Sequence, residues 1–114
     1  MKKVEDLIEK ANELFEQAEM VGENSLENAH NLFLRGITYL LQAFLTSNAV
    51  ESLGSLNELF NECKLVKPEF EAIEEQLASL VDADLATTNL EAIIDSANEI
   101  WDFIIDLVAA DDYY

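Results

Sequence analysis

The chain has 114 residues and carries 24 Asp and Glu against 6 Lys and Arg, a formal net charge of -18 with a sequence pI near 4.1. So few cations exclude a surface built to neutralise nucleic-acid phosphates or an anionic membrane, since both depend on clustered Lys and Arg. Half of the residues are hydrophobic, which excludes disorder as the origin of the acidity, and the length suits one helical domain over residues 1–114 that buries roughly 65% of its unfolded surface.

In chain order, Val4, Leu7, Ile8, Ala11, Leu14, Phe15, Ala18 and Val21 recur at helical spacing and predict an amphipathic helix over about 3–21. Gly22 suits its C-cap. The second helix, about 25–47, should begin at Asn24 or Ser25, with Glu27 placed to complete a capping box from Asn24. Its polar residues Asn28, Asn31, Arg35, Thr38, Gln42 and Thr46 collect on one narrow strip. The rest of its circumference is apolar, as expected of a helix central to a bundle or one that also meets a second subunit.

Residues 47–54 read as a connection. Ser55 and Glu58 then form a Ser-x-x-Glu capping box ahead of Leu56, Leu59, Phe60 and Cys63. This third segment, about 55–81, is interrupted near Pro68, which has no N–H to donate inside a helix. Beyond it Phe70, Ile73, Leu77, Leu80 and Val81 continue the apolar stripe to the turn Asp82-Ala83-Asp84. The last helix, about 88–109, opens on a Thr88-x-x-Glu91 box and carries Leu90, Ile93, Ile94, Ala97, Ile100, Trp101, Ile104, Ile105 and Val108 on its core stripe. Four helices, short connections and no strand pattern predict an all-α fold, an up-and-down four-helix bundle.

One cysteine excludes an intramolecular disulfide. The opening Met1-Lys2-Lys3-Val4-Glu5-Asp6 passes straight into amphipathic helix, so no signal peptide is expected. The most apolar stretch, 32–45, contains Arg35 and is shorter than the about 20 residues that a membrane span needs. A cytoplasmic protein is the expectation.

Glu27-Asn28-Ala29-His30 matches the Glu-x-x-His spacing of di-iron bundles, but such sites need a second pair and two further glutamates. The chain has one histidine. It falls on the apolar arc among Leu26, Phe33, Ile37 and Leu41, so a core or interface histidine is expected, with no metal and no cofactor. Glu27 and His30 remain the only polar centre that a ligand-binding bundle or enzyme could use. Cys63 extends the line of Leu56, Leu59 and Phe60 and reads as a buried thiol, whereas a reactive thiolate wants electropositive surroundings. A lone histidine on an apolar helix face argues against a Ser-His-Asp triad, and the isolated Gly22, Gly36 and Gly54 offer no phosphate-cradling loop. No residue is expected to be catalytic.

On the last helix Glu91, Asp95, Glu99, Asp102 and Asp106 stack in one stripe without Lys or Arg between them. Like charges at i,i+4 cost about 0.2–0.5 kcal/mol each. Asp106, Asp111 and Asp112 also crowd the C-terminal end, where the helix dipole favours cations. The stripe reads either as a solvated face kept negative for solubility or as a docking surface for a basic protein. Beside it run Ala92, Ser96, Phe103, Leu107 and Ala110, and the second helix has a matching side in His30, Leu34, Leu41 and Leu45. Together they present more apolar surface than one core hides, and a homodimer is expected.

These patterns resemble the HEPN superfamily of small helical domains over nearly the whole chain. The resemblance lies in Ala11-Asn12-Glu13-Leu14-Phe15-Glu16-Gln17-Ala18, in Asn28-Ala29-His30 leading to Ile37-Thr38-Tyr39-Leu40-Leu41-Gln42-Ala43-Phe44-Leu45, in Gly54-Ser55-Leu56-Asn57-Glu58-Leu59-Phe60 and in Ala97-Asn98-Glu99-Ile100. It implies a helical bundle, commonly dimeric, acting either as an RNase in toxin and defence systems or as a non-catalytic partner of a nucleotidyltransferase. The RNase branch carries Arg, four to six residues, then His. Here His30 precedes Arg35, the order is reversed, and no catalytic residue carries over. The expected function is therefore a non-catalytic binding or assembly module, with an acidic inhibitor or antitoxin masking a basic nucleic-acid-binding partner as the alternative.

Overall fold

A computed structural model describes the backbone of residues 2–51 and 54–112 and the side chains of residues 3–51 and 54–108. Among the described residues the fold is all-α. Its elements are α1 (Lys2–Gly22), α2 (Leu26–Ser47), α3 (Leu56–Val66), a 3-10 helix (Pro68–Ile73), α4 (Glu74–Val81) and α5 (Leu90–Asp112). The Cα radius of gyration, 13.6 Å, is close to the ~13 Å expected of a compact chain of this length.

Local chemistry accounts for most of the boundaries. Ser25 caps α2, its hydroxyl accepting the Asn28 N–H at 3.2 Å. Asn24, read as the alternative cap, precedes it in the turn that closes α1, where the N–H groups of Asn24 and Ser25 both donate to the Val21 carbonyl, at 3.0 and 2.8 Å. Ser55 and Glu58 make both arms of their capping box at the start of α3. The expected Thr88–Glu91 box is displaced by one residue. Thr88 donates its N–H to the Asp84 carbonyl in the preceding turn, and the Asn89 side chain accepts the Ala92 N–H at 2.9 Å, so α5 begins at Leu90. Asn is among the strongest N-cap residues because its short side chain reaches the free N–H groups of the first turn.

At the other end of α2, Ala49 takes a left-handed φ of 60° while Val50 N–H donates back to the Leu45 carbonyl at 2.8 Å. That closes a Schellman turn with alanine where glycine is usual, a conformation that costs about 1 kcal/mol. Gly22 needs no such freedom, because it has no positive φ. Its lack of a side chain makes room for Leu90, whose Cδ1 would lie 2.4 Å from an added Cβ.

Pro68 interrupts the third segment as expected. Lys67 before it is extended, at φ -142° and ψ 101°, the conformation that proline imposes on its predecessor. The chain resumes as the 3-10 helix and then α4. Asn57, Phe60 and Asn61 of α3 face Glu74, Leu77 and Ala78 of α4 across a crevice of about 210 Å³, and Lys64 pairs with Glu74 across it.

The core is built on α2. Phe33, Ile37, Leu40, Leu41, Phe44 and Leu45 have no exposed surface, and α1, α3 and α5 all pack on α2. The predicted polar strip is where it should be, with Asn28, Asn31 and Arg35 exposed and Thr38, Gln42 and Thr46 half-buried. The pair α1–α2 is antiparallel. Phe15 meets Phe33 with ring centroids 5.1 Å apart, and Lys10 sits 5.7 Å from the Tyr39 ring centre. At Gly36 an added Cβ would lie 2.6 Å from the Phe15 ring and 3.3 Å from the Ala11 carbonyl oxygen. A second aromatic cluster joins α2, α3, the 3-10 helix and α5 through Phe70, which stacks edge-on against Phe44, Phe60 and Phe103 at 4.8, 6.0 and 5.5 Å.

This packing corrects the apolar flank expected from the helical wheel. Leu41 and Leu45 are fully buried within the single chain, because three neighbours cover the wide apolar arc of α2. They are not available to a second subunit. Leu34, Phe103 and Leu107 are half-buried, and Phe103 is engaged by Phe70. The Ala110 side chain lies outside the described residues, as do those of Asp111 and Asp112.

Candidate functional site

His30 is buried near the start of α2, and its Nε2 donates to the Leu80 carbonyl at 2.6 Å. The carbonyl can only accept, so the proton sits on Nε2. The bond ties the last turn of α4 to the first turns of α2. Glu27, three residues earlier, is exposed. The structure gives the two residues different surroundings, and no group of three or more His, Cys, Asp and Glu side chains is arranged for a metal among the described residues.

Cys63 is fully buried in the α2–α3 contact, with its thiol 3.8 Å from the Leu41 carbonyl. Burial, and secondarily the negative charge of Glu62, pushes its pKa up from 9.0 to about 12. A thiol held neutral is a poor nucleophile. The contribution of the neutral thiol to stability is fully present below pH 9, where the unfolded chain also keeps it protonated, and is lost as the pH rises towards 12. Cys63→Ala should therefore flatten the decline in urea midpoint between pH 9 and pH 11. Native protein at pH 8 should react with an aromatic disulfide reagent only at the rate at which the fold opens, and labelling as fast as a free thiol would contradict the burial.

The five carboxylates of the α5 stripe, Glu91, Asp95, Glu99, Asp102 and Asp106, are all exposed, as the wheel predicted. One is tied down, Glu99 accepting a hydrogen bond from Gln76 of α4. The ion pairs among the described residues are Lys3 with Glu51 and Lys64 with Glu74, and neither reaches the stripe. Electrostatically α5 is an unanswered negative row.

Sequence reasoning missed a second feature. α1 and α5 each pack chiefly on α2, and between them runs an open groove of about 720 Å³ lined by Glu5, Asp6, Ile8, Glu9, Asn12 and Trp101. Trp101 was assigned to the core stripe of α5, yet it is half-buried, one contact being the Phe15 ring at 5.2 Å. Ile94 and Ile105, its neighbours on the same flank, are also half-buried. The signal was the width of the α5 apolar stripe. At 100° per residue Ile94, Trp101 and Ile105 lie well off the centre defined by Ile93, Ala97, Ile100 and Ile104.

No helix among the described residues is long and apolar enough to cross a membrane. No protein-family model matches the chain, and neither a curated protein nor a solved structure matches it significantly.

Proposed function

We propose that this protein is a non-catalytic binding and assembly module that docks a basic protein through α5. The observation that carries this reading is the row Glu91, Asp95, Glu99, Asp102 and Asp106, exposed along one helix with no cation opposite it among the described residues. Holding like charges in line costs stability, and a cationic partner would convert that cost into attraction and faster association.

The architecture is read as an up-and-down four-helix bundle of the HEPN type, with α3, the 3-10 helix and α4 forming one broken arm. The placement proposed is cytoplasmic. A homodimer is part of the proposal, through the half-buried Leu34, Phe103 and Leu107. The HEPN resemblance makes a nucleotidyltransferase the first partner to seek. The net charge of -18 favours one alternative of the same chemistry, an inhibitor that covers the basic nucleic-acid-binding face of its partner. A ligand-binding bundle or enzyme centred on Glu27 and His30 is the weaker reading, because His30 bonds to the Leu80 carbonyl through Nε2 while Glu27 is exposed.

The test is affinity capture from the native host by the full chain and by the triple variant Glu91→Lys, Asp95→Lys, Asp102→Lys. Basic proteins retained at low salt by the natural chain should be lost by the variant. Unchanged capture removes α5 from the account, and sedimentation equilibrium showing a monomer at tens of micromolar removes the homodimer.

A further inference from the structure

We propose that the groove between α1 and α5 is a docking site for a basic amphipathic helix of a protein partner. Trp101 and Ile8 would receive its apolar face, and Glu5, Asp6 and Glu9 its cations. The inference rests on the binding-module reading above but places the contact on a different surface, so the two can fail separately.

The lining of the groove is of two kinds: Trp101 and Ile8, both half-buried, are apolar, and Glu5, Asp6, Glu9 and Asn12 are exposed and polar. Trp is the residue type that most often anchors an interface, because a large rigid ring buries much area at little entropic cost. Three of the described cations are directed elsewhere. Lys10 lies against Tyr39, Lys3 pairs with Glu51, and Arg35 lines a depression on α2 with Thr38, Tyr39 and Gln42. Among the described residues no cation lines the groove, so its carboxylates are open to a cationic ligand.

The extent of the charge argues for an elongated ligand rather than a small cation. Exposed acids continue along α1 from Glu5 and Glu9 to Glu16 and Glu19 and, just past its end, to Glu23, and the last three line a second depression with Met20, which is 76% exposed. From Glu5 to Glu19 the helix rises about 21 Å, the length of roughly four helical turns. The exposed Met20 in this second depression offers a further adaptable apolar contact for a helix. A second copy of this chain is a poor occupant, since it would bring the same negative charge to a negative rim.

The chain has one tryptophan, so its emission reports the groove directly. The probe is a synthetic 18-residue helix with Leu on one face and Lys on the other, titrated into the full chain. A peptide of the same composition, scrambled to have no apolar face, serves as the control. The amphipathic peptide should shift Trp101 emission to the blue in a saturable way, and the scrambled peptide should not. Glu5→Gln with Glu9→Gln should weaken binding about five-fold, whereas Glu69→Gln with Glu75→Gln, which remove the same charge elsewhere, should change it less than about two-fold. All four positions are exposed, so folding is not at stake.

The proposal is overturned if the peptide does not bind, if the scrambled peptide binds equally, or if both variant pairs weaken binding alike. It is also overturned if spermidine alone reproduces the shift at the same concentration, or if the shift follows the concentration of the chain without peptide, which would make a second copy the occupant. Peptide binding without a Trp101 shift, abolished by the α5 triple variant, overturns the groove and leaves the α5 reading standing.

Discussion

Phe70→Ala should lower the unfolding free energy by about 3–5 kcal/mol, the range for removing a fully buried phenylalanine. Phe70 has no exposed surface and is the one ring in contact with Phe44, Phe60 and Phe103 together. Those rings come from α2, α3 and α5, so a cavity at residue 70 cannot close by moving a single element. Partial relaxation would also withdraw the edge-to-face contacts, worth about 0.5–1.5 kcal/mol each beyond buried area. Since domains of this size are stable by only about 5–15 kcal/mol, the variant should sit near the threshold of folding at 37 °C. Urea denaturation followed by circular dichroism measures it. Phe70→Leu, which keeps most of the volume, should recover more than half of the loss. A loss below about 1 kcal/mol for the alanine variant would mean that the cluster is not packed as described.

Gly36→Ala should also destabilise, by about 1–2 kcal/mol net, although helix propensity argues the other way. In an exposed helix interior the change gains about 1 kcal/mol. Here the new Cβ would meet two Phe15 ring carbons at 2.6 Å, and overpacking of this kind costs about 1–3 kcal/mol. The deciding question is whether Phe15 can yield. Phe33 and Trp101 hold its ring at 5.1 and 5.2 Å, and the backbone of α1 lies beside it, with the Ala11 oxygen 3.3 Å from the added carbon. With rings on two sides and the α1 backbone close by, the steric cost should outweigh the gain in helix propensity. Thermal denaturation checks the sign, and Trp101 emission should change with it because the Phe15 contact moves. The double variant Phe15→Leu, Gly36→Ala should lose less than the sum of the single losses. A stabilised Gly36→Ala protein would show that the α1–α2 contact is looser than described.

These two sites belong to different aromatic clusters, and only the Phe15 cluster borders the proposed groove. Phe70→Ala should lower global stability without a specific effect on peptide affinity while the protein remains folded. Gly36→Ala, acting through Phe15, should disturb both. The comparison separates loss of fold from loss of a docking surface.

The helices, their limits to within three residues, the Ser55–Glu58 box and the break at Pro68 were legible in the sequence, because each follows from chemistry within one helical turn. The acidic stripe of α5 was legible for the same reason, since five residues at helical spacing share a face whatever they pack against. The caps mark the limit of that reading: the sequence left Asn24 and Ser25 both open for α2, where Ser25 serves, and put the α5 cap at Thr88, one residue before Asn89, because adjacent capping residues compete. What the sequence did not determine is how the apolar residues are shared out. Leu41 and Leu45 looked available to a second subunit until α1, α3 and α5 covered α2, and Trp101 looked like core, whereas it is half-buried and lines the groove beside α1. A helical wheel fixes directions about one axis only. The distances between axes, set here by Gly36 beneath Phe15 and by Phe70 between three helices, arise only when the side chains of separate helices meet.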